Sequence, residues 1–421
     1  MEQYTIGVIG LGYVGLPLAL AFATKYNVKG YDTNAERISQ LRQGIDITHE
    51  MLPEQIRAAS SRTLQFTTEL QALKECTVYI ITVPTPLDKE NQPDLTYLVR
   101  ATSSIGSILK KGDLVIYEST VYPGCTEEVC VPVLEMFSKL AYNKDFFVGY
   151  SPERINPGDK TRTITSIQKI TSGSSLRCAQ KVDQLYASII TAGTYKAPSI
   201  KVAEAAKAIE NAQRDVNISF MNELALIFDK LKIDTHEVLK AASTKWNFIP
   251  FKPGLVGGHC IGVDPHYLAF KAMQAGYTPQ VILSGRKVNE QMGVFVGEKV
   301  IALLAKKFLG RIHGKTVLIL GFAFKENCAD TRNTKVIDIY TTLKAAGLEV
   351  SIHDPLVNEA AVQKAYGISL ITKLAKQYDA MILAVGHDAF HQIDFTGYRE
   401  RGALIYDAKS MLPVEVVDGR L

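Results

Sequence analysis

Hydrophobic positions along the chain change period twice. From Tyr4 to Ile9 an apolar, β-rich run leads into a glycine-rich turn, and a helical pattern follows from Leu16 to Thr24. A second strand, Val28–Tyr31, ends at Asp32. The alternation continues with strands over Thr77–Val83, Asp113–Tyr117 and Phe146–Gly149, and with a helix capped by Asp94 or Thr96 that reaches Leu109. Short apolar runs alternating with helices predict a parallel sheet. After Pro198 the period switches. Ser199–Leu231 has neither Gly nor Pro and sets Val202, Ala205, Ala206, Ile209, Val216, Phe220, Leu224, Ile227 and Phe228 at helical steps. That is too long for a crossover helix and predicts a connecting helix that opens an all-α middle, continued by Thr235–Ala242 and Val281–Phe308. Beyond Gly310 and Gly314 the strands return at Lys315–Leu320, Val350–Ile352, Met381–Val385 and Ala403–Ile405, with a helix over Thr334–Ala346.

The first turn reads Gly10-Leu11-Gly12-Tyr13-Val14-Gly15. Gly10 makes the turn, Gly12 admits a pyrophosphate and Gly15 lets helix and strand pack closely. The phosphates meet free N–H groups at the helix start. Asp32 stands where an acid accepts from ribose hydroxyls, and its charge repels a 2′-phosphate, so NAD is expected over NADP. The unit from Lys315 echoes this arrangement, with Gly321 matching Gly10 and Asp354 matching Asp32. It lacks GxGxxG, so a nucleotide or nucleotide sugar is expected there rather than a second dinucleotide. The fold class expected is α/β, with two Rossmann-like doubly wound domains at 1–197 and 310–421, joined by a long helix and an all-α middle domain at 198–309.

Composition adds exclusions. The chain has 421 residues, 47% hydrophobic and 21% charged, with Lys+Arg 47 against Asp+Glu 43. That balance does not suggest nucleic acid as a partner, and no apolar run is long enough for a membrane span. The N-terminus lacks the order of segments in a signal peptide. Six sparse cysteines without CxxC fit reduced thiols in a cytoplasm. No Cys/His spacing matches a zinc site; His259, Cys260 and His266 are the nearest approach to one, and no metal is expected.

Polar groups gather where strands end. Pro84-Thr85-Pro86 follows one strand, Glu118-Ser119-Thr120-Val121-Tyr122-Pro123-Gly124 the next, and Ser151-Pro152-Glu153-Arg154 a third. Ligands sit at that edge of an open parallel sheet, so Thr120 and Glu153 are expected to face the cofactor; solvated loop chemistry is the plainer reading. On the long helix Glu204, Lys207 and Asn211 share a face, either as a site or as a surface charge stripe. The stretch Gly257-Gly258-His259-Cys260-Ile261-Gly262-Val263-Asp264 holds a thiol and a carboxylate behind two glycines. Glycine admits φ > 0 and a close ligand, and a thiol there is either a nucleophile or a buried, inert side chain.

Taken together these motifs, with Phe324-Lys325 and Asp330-Thr331-Arg332, resemble the UDP-glucose/GDP-mannose dehydrogenase family over essentially the whole chain. Branches that oxidise plain UDP-glucose carry Ser before the Cys and Lys before the Asp. Here His259 and Val263 stand there, and the stretch Lys245–Pro265 is most similar to UDP-N-acetylglucosamine 6-dehydrogenases of Vi-type capsule and O-antigen synthesis. UDP-N-acetylgalactosamine, UDP-N-acetylmannosamine and UDP-glucose are the alternative sugars. The resemblance implies NAD-dependent, four-electron oxidation of C6 through a Cys260 thiohemiacetal and thioester. It implies catalytic roles for Cys260, Lys207, Asp264, Asn211, Glu153 and Thr120. Cofactor contacts would come from Gly10, Gly12, Tyr13, Val14, Gly15, Asp32, Arg37, Pro84, Thr85, Thr120 and Arg332. Substrate contacts would come from Glu153, Arg154, Lys207, Asn211, Lys252, Gly257, Phe324 and Lys325. A homodimer or higher homo-oligomer is expected, with the long helix as a dimer core. Two readings of other classes remain: a single-hydride 2-hydroxyacid-type dehydrogenase in which Cys260 only packs, and a nucleotide-sugar-binding protein without turnover.

Overall fold

A computed structural model describes residues 4–48, 50–155, 162–258 and 261–421. The chain divides into two compact units, Met1–Glu210 with His266–Tyr277, and Asn211–Pro265 with Thr278–Leu421. The residues expected to form a helical middle are apportioned between these units.

In the first unit β1 (Thr5–Ile9), β2 (Asn27–Tyr31), β3 (Leu64–Thr67), β4 (Val78–Ile81), β5 (Leu114–Tyr117), β6 (Phe147–Tyr150), β7 (Lys169–Gly173) and β8 (Thr194–Lys196) form one sheet, ordered β3-β2-β1-β4-β5-β6-β7-β8. Every pair is parallel except β6 with β7. The first six follow the order of a doubly wound sheet, whose switch point lies between β1 and β4. All residues of β4 and β5 are buried, which is why these strands read as continuous apolar runs rather than as alternating ones. Gly10, Asp32, Thr82–Thr85, Glu118–Thr120 and Ser151–Glu153 all follow the carboxyl ends of strands. The pattern of the sequence did not assign β3, β7 and β8, which have three to five residues each.

The second unit carries β9 (Thr316–Leu320), β10 (Glu349–His353), β11 (Ala380–Leu383), β12 (Leu404–Asp407) and β13 (Gly419–Arg420), all parallel, in the order β10-β9-β11-β12-β13. This is the other common doubly wound order. The long helix runs over Ile200–Leu231 and a second over Gln280–Lys307, each within one residue of its expected limits. In the second unit these two helices meet through buried polar groups. Arg286 pairs with Asp215 at 2.6 Å, and the Asn222 amide donates to Asn289 at 2.8 Å.

Asn222 also grips the loop that leads to the glycine pair. Its Oδ1 accepts from the Gly254 N–H at 2.8 Å and its Nδ2 donates to the Gly254 carbonyl at 3.0 Å. Asn222 and Gly254 are both buried, so no water replaces these bonds. Asn222→Leu keeps the branched outline of the side chain, though bulkier, and strands both backbone groups. The unfolding free energy should fall by about 2–3 kcal/mol, read as a lower urea midpoint. An unchanged midpoint would mean that the Asn222 bonds hold nothing.

Candidate active site

The glycine-rich turn is shaped by its own backbone. Gly10 has φ +91°, and its N–H donates to the Tyr31 carbonyl at 2.9 Å. A Cβ on Gly15 would lie 1.9 Å from the Gly10 carbonyl oxygen, so only glycine lets the helix Gly15–Ala23 start there. A Cβ on Gly12 would meet nothing within 4 Å, which leaves room above the turn for a phosphate. Tyr13 and Val14 are half-buried, and Val14 stands at the N-cap position without a side-chain bond to the helix. Asp32 closes the turn: its Oδ2 accepts from the Leu11 N–H at 2.8 Å and its Oδ1 from the Asn34 N–H at 2.9 Å. Each carboxylate oxygen retains a lone pair for a hydroxyl. The donor set and the open space fit a dinucleotide. Arg37 is buried beneath, where its Nε donates to the Leu11 carbonyl at 2.9 Å and its guanidinium pairs with Asp46 at 2.8 Å. Its contacts are with the Leu11 carbonyl and the Asp46 carboxylate, so any part in holding a cofactor acts through the turn at Leu11.

The loop after β5 is tied along its length. Ser119 Oγ donates to the Val83 carbonyl at 2.6 Å, Thr85 Oγ1 to the Thr120 carbonyl at 2.6 Å, and the Tyr267 hydroxyl to the Thr85 carbonyl at 2.8 Å. Pro84 is exposed and Thr120 half-buried. Behind the loop lies a buried charge cluster. Lys169 Nζ meets Glu118 Oε2 at 2.6 Å and Glu153 Oε2 at 3.6 Å, and the Tyr186 hydroxyl donates to Glu118 Oε1 at 2.5 Å. Burial pushes the Glu118 carboxyl up to about 6, against the Lys169 ammonium that favours its charged form. Glu153 Oε1 accepts the N–H groups of Arg154 and Ile155. Its Oε2 is buried with no hydrogen-bond partner among the described residues, which leaves the ammonium as its nearest counter-charge. Arg154, expected on substrate, is paired with Glu210 at 2.7 Å and donates to the Gln168 carbonyl.

The face of Glu204, Lys207 and Asn211 is not a surface stripe. Glu204 is fully buried, Lys207 is buried and Asn211 half-buried. Glu204 accepts the N–H groups of Gly124 at 2.5 Å and Thr126 at 2.9 Å. Burial pushes its carboxyl up to about 7, while those donors favour the ion. In the second unit Asn211 Nδ2 donates to Asp264 Oδ2 at 2.5 Å, and Asp264 is buried at the start of the helix Asp264–Gln274. His259 and Cys260 lie outside the described residues.

The glycines before them serve a protein neighbour. A Cβ on Gly258, at φ +83°, would lie 2.7 Å from the Phe324 ring, and one on Gly257 2.7 Å from the Asn333 carbonyl. Gly258 N–H donates to the Arg332 carbonyl and Asn333 Nδ2 to the Gly258 carbonyl. The pair therefore packs backbone onto the Phe324–Asn333 loop. Arg332 is exposed, with its guanidinium on Asp330, and Lys252 is exposed; Phe324 and Lys325 are half-buried. The echo of the first turn is close. Gly321 has φ +92°, and Asp354 Oδ2 accepts from the Phe322 N–H at 2.7 Å. His387 then lies over that acid, with Nε2 3.0 Å from Asp354 Oδ2 and both side chains fully buried. Burial alone would raise the Asp354 carboxyl; the His387 ring and the N–H groups of Phe322 and Ala323 outweigh it and hold the carboxyl below its usual range. An acid covered in this way is withdrawn from any ribose. No group of metal-ligating side chains occurs among the described residues, and no helix among them is long and apolar enough to cross a membrane.

Lys169, Tyr267 and the grip of Glu204 were not apparent beforehand. The one signal along the chain was an acid and a lysine three residues apart on an apolar helix.

Comparison with known proteins matches three stretches of the chain to one family. Residues 4–190 match the UDP-glucose/GDP-mannose dehydrogenase family's NAD binding domain, 201–291 its central domain and 318–413 its UDP binding domain. A UDP-N-acetyl-D-glucosamine 6-dehydrogenase from Salmonella typhi is 52% identical, covering 100% of this chain and 99% of its own length. One of the same name from Pseudomonas aeruginosa is 54% identical, covering 100% of both. The solved UDP-D-ManNAc dehydrogenase of Pyrococcus horikoshii superposes with a TM-score of 0.88 at 30% identity, over 99% of this chain and 98% of that one. The chain belongs to the UDP-glucose/GDP-mannose dehydrogenase family, as an NAD-dependent oxidoreductase acting on UDP-sugars.

Proposed function

We propose that the chain oxidises the C6 hydroxyl of UDP-N-acetylglucosamine to the carboxylate at a single site. The observation that carries this reading is full-length identity of 52% and 54% to two relatives named for that sugar, against 32% to one named for UDP-N-acetyl-D-mannosamine. In this reading residues 1–197 bind NAD, 310–421 bind the UDP end, and 198–309 supply the long helix and the cysteine loop. The enzyme works in the cytoplasm; none of the described cysteines is joined in a disulfide, which is in keeping with that.

Bound NAD supplies a hydride acceptor for each of the two oxidations. Gly10, Gly12, Tyr13, Val14 and Gly15 hold its pyrophosphate, and Asp32 its ribose. Arg37 supports that turn from below, Pro84, Thr85 and Thr120 flank the cofactor, and Arg332 reaches it as well. Lys252, Gly257, Phe324, Lys325 and Arg154 hold the nucleotide sugar. Asp264 and Lys207 move the hydroxyl proton through a water held by Thr120 and Asn211. The bond from Asn211 supports this by fixing one oxygen of Asp264. The first oxidation leaves an aldehyde, which would be lost if released. Cys260 sulfur adds to its carbon and gives a thiohemiacetal. Departure of the second hydride leaves a thioester, and water then releases the acid and restores the thiol. The Lys207 cation steadies the oxyanion, and Glu153 serves the hydrolysis.

We also assign a homodimer to the long helix. Val202, Ile209, Phe220, Ile227 and Leu231 are all exposed by 45–59%, at steps of seven, eleven, seven and four residues. These steps are whole turns, so the five line one face.

With NAD against a panel of UDP-sugars, the enzyme should form two NADH per UDP-N-acetylglucosamine, and Cys260→Ser at most one. Preference for another sugar would reassign the substrate, and two NADH from the variant would end the covalent role. Asp32→Ala should narrow the preference for NAD over NADP by roughly tenfold, about 1.4 kcal/mol; unchanged kinetics with both cofactors would show that Asp32 does not read the ribose. Phe220→Glu with Ile227→Glu should yield monomers in sedimentation velocity, and an unchanged oligomer would refute the assignment of this face.

A further inference from the structure

Glu204 belongs to the helix face singled out in the sequence, yet the chemistry above gives it no task. Its surroundings are unusual. The helical segment that begins at Thr126 and runs on to Ser138 has no side-chain cap of its own. The first N–H groups of a helix have no partner within it. Here the N–H groups of Gly124 and Thr126 turn to the two oxygens of one carboxylate, Oε2 and Oε1 respectively, 80 and 78 residues further along the chain. The carboxylate is fully buried, so water does not compete. Gly124 sits at φ +96° where the loop turns into this segment.

What Glu204 fixes is the loop's far end. The near end is held by other groups: Glu118 by Lys169 and Tyr186, Ser119 by the Val83 carbonyl, and the Thr120 carbonyl by Thr85. Thr120 lies four residues before Gly124, and Lys207 lies one turn beyond Glu204 on the long helix. A single carboxylate thus pins the loop that carries Thr120 to the helix turn that carries Lys207, all within the first unit.

We propose that Glu204 is a positioning residue for the oxidation: its carboxylate locks the Ser119–Gly124 loop onto the long helix and so sets Thr120 against Lys207. The proposal rests on the reading that gives Thr120 and Lys207 their parts in catalysis. An acid is needed rather than any polar group, because two N–H donors converge and both require acceptors. Glutamine offers one carbonyl oxygen, and its amide N–H₂ faces a second N–H. Alanine offers none.

The test is a graded pair, Glu204→Gln and Glu204→Ala. Displacement of catalytic groups by about 1 Å costs up to roughly a hundredfold in rate. The expected result is kcat lower by roughly tenfold in the glutamine variant and by up to roughly a hundredfold in the alanine variant. KM for NAD should stay within about twofold, because the Gly10–Gly15 turn and Asp32 are untouched. A purely structural role would lower the melting temperature and leave kcat per folded enzyme unchanged, and that outcome overturns the proposal. Amide hydrogen exchange supplies a second arm that needs neither turnover nor a stable alanine variant. In the unsubstituted protein the Gly124 and Thr126 amides should be protected, and in Glu204→Gln at least one should lose protection while β1, β4 and β5 keep theirs. Free exchange at both amides in the unsubstituted protein, or full protection in the variant, overturns the proposal. If the unsubstituted enzyme forms no NADH from any UDP-sugar, the reading of the substrate fails, while the exchange data still decide whether Glu204 holds the loop.

Discussion

The register of one helix governs the rest. At 3.6 residues per turn, Glu204, Lys207 and Asn211 fall within about 60° of one another, and the apolar residues Val202, Ile209, Phe220, Ile227 and Leu231 lie roughly opposite. One face therefore carries acid, cation and amide, and the other carries exposed apolar side chains. Inserting a single residue between Lys207 and Asn211 would turn Asn211 by about 100° away from the face that Glu204 and Lys207 share. The absence of Gly and Pro from Ile200 to Leu231 follows from this demand, since either would loosen or kink the rod on which the spacing depends.

Within each unit, buried charge is arranged in pairs rather than spread. Glu118 has Lys169, Asp215 has Arg286, Asp46 has Arg37, and Glu204 has two N–H groups. Removing one partner from such a pair is costly because the other is left charged in a poor solvent. The same carboxylate chemistry is put to two uses at matching places in the two sheets. Asp32 ends β2 and keeps lone pairs available beside an open glycine turn. Asp354 ends β10 in the same geometry, but His387 covers it. The fold was used twice, and the chemistry at one copy was closed off.

Much of this was legible because it is local. The strand, turn, helix, strand and acid from Thr5 to Asp32 lie within thirty residues, and each step has its own steric or electrostatic signature. The long helix was legible from its period alone. Lys169 was not, because its partner Glu118 is 51 residues away and β7, with the sequence Lys-Ile-Thr-Ser-Gly, shows no apolar alternation. Glu204 was half legible. Its spacing from Lys207 marked a shared face, but its burial depends on a loop 80 residues earlier. Gly257 and Gly258 were read as room for a ligand, whereas the close neighbours are Phe324 and Asn333. A glycine reports that something comes near, and only the fold says what. Cys260, on which the covalent chemistry turns, was proposed from its motif and lies outside the described residues.

In the proposed reaction the sugar stays attached to the chain between two oxidations, beside groups carried by the long helix. Catching that attachment is the most direct measurement. Enzyme mixed with NAD and UDP-N-acetylglucosamine, quenched in acid during turnover and digested, should give one peptide heavier by the oxidised nucleotide sugar, with the added mass on Cys260. Steady production of two NADH per sugar with no adduct on that peptide, or with the adduct on another residue, would contradict it.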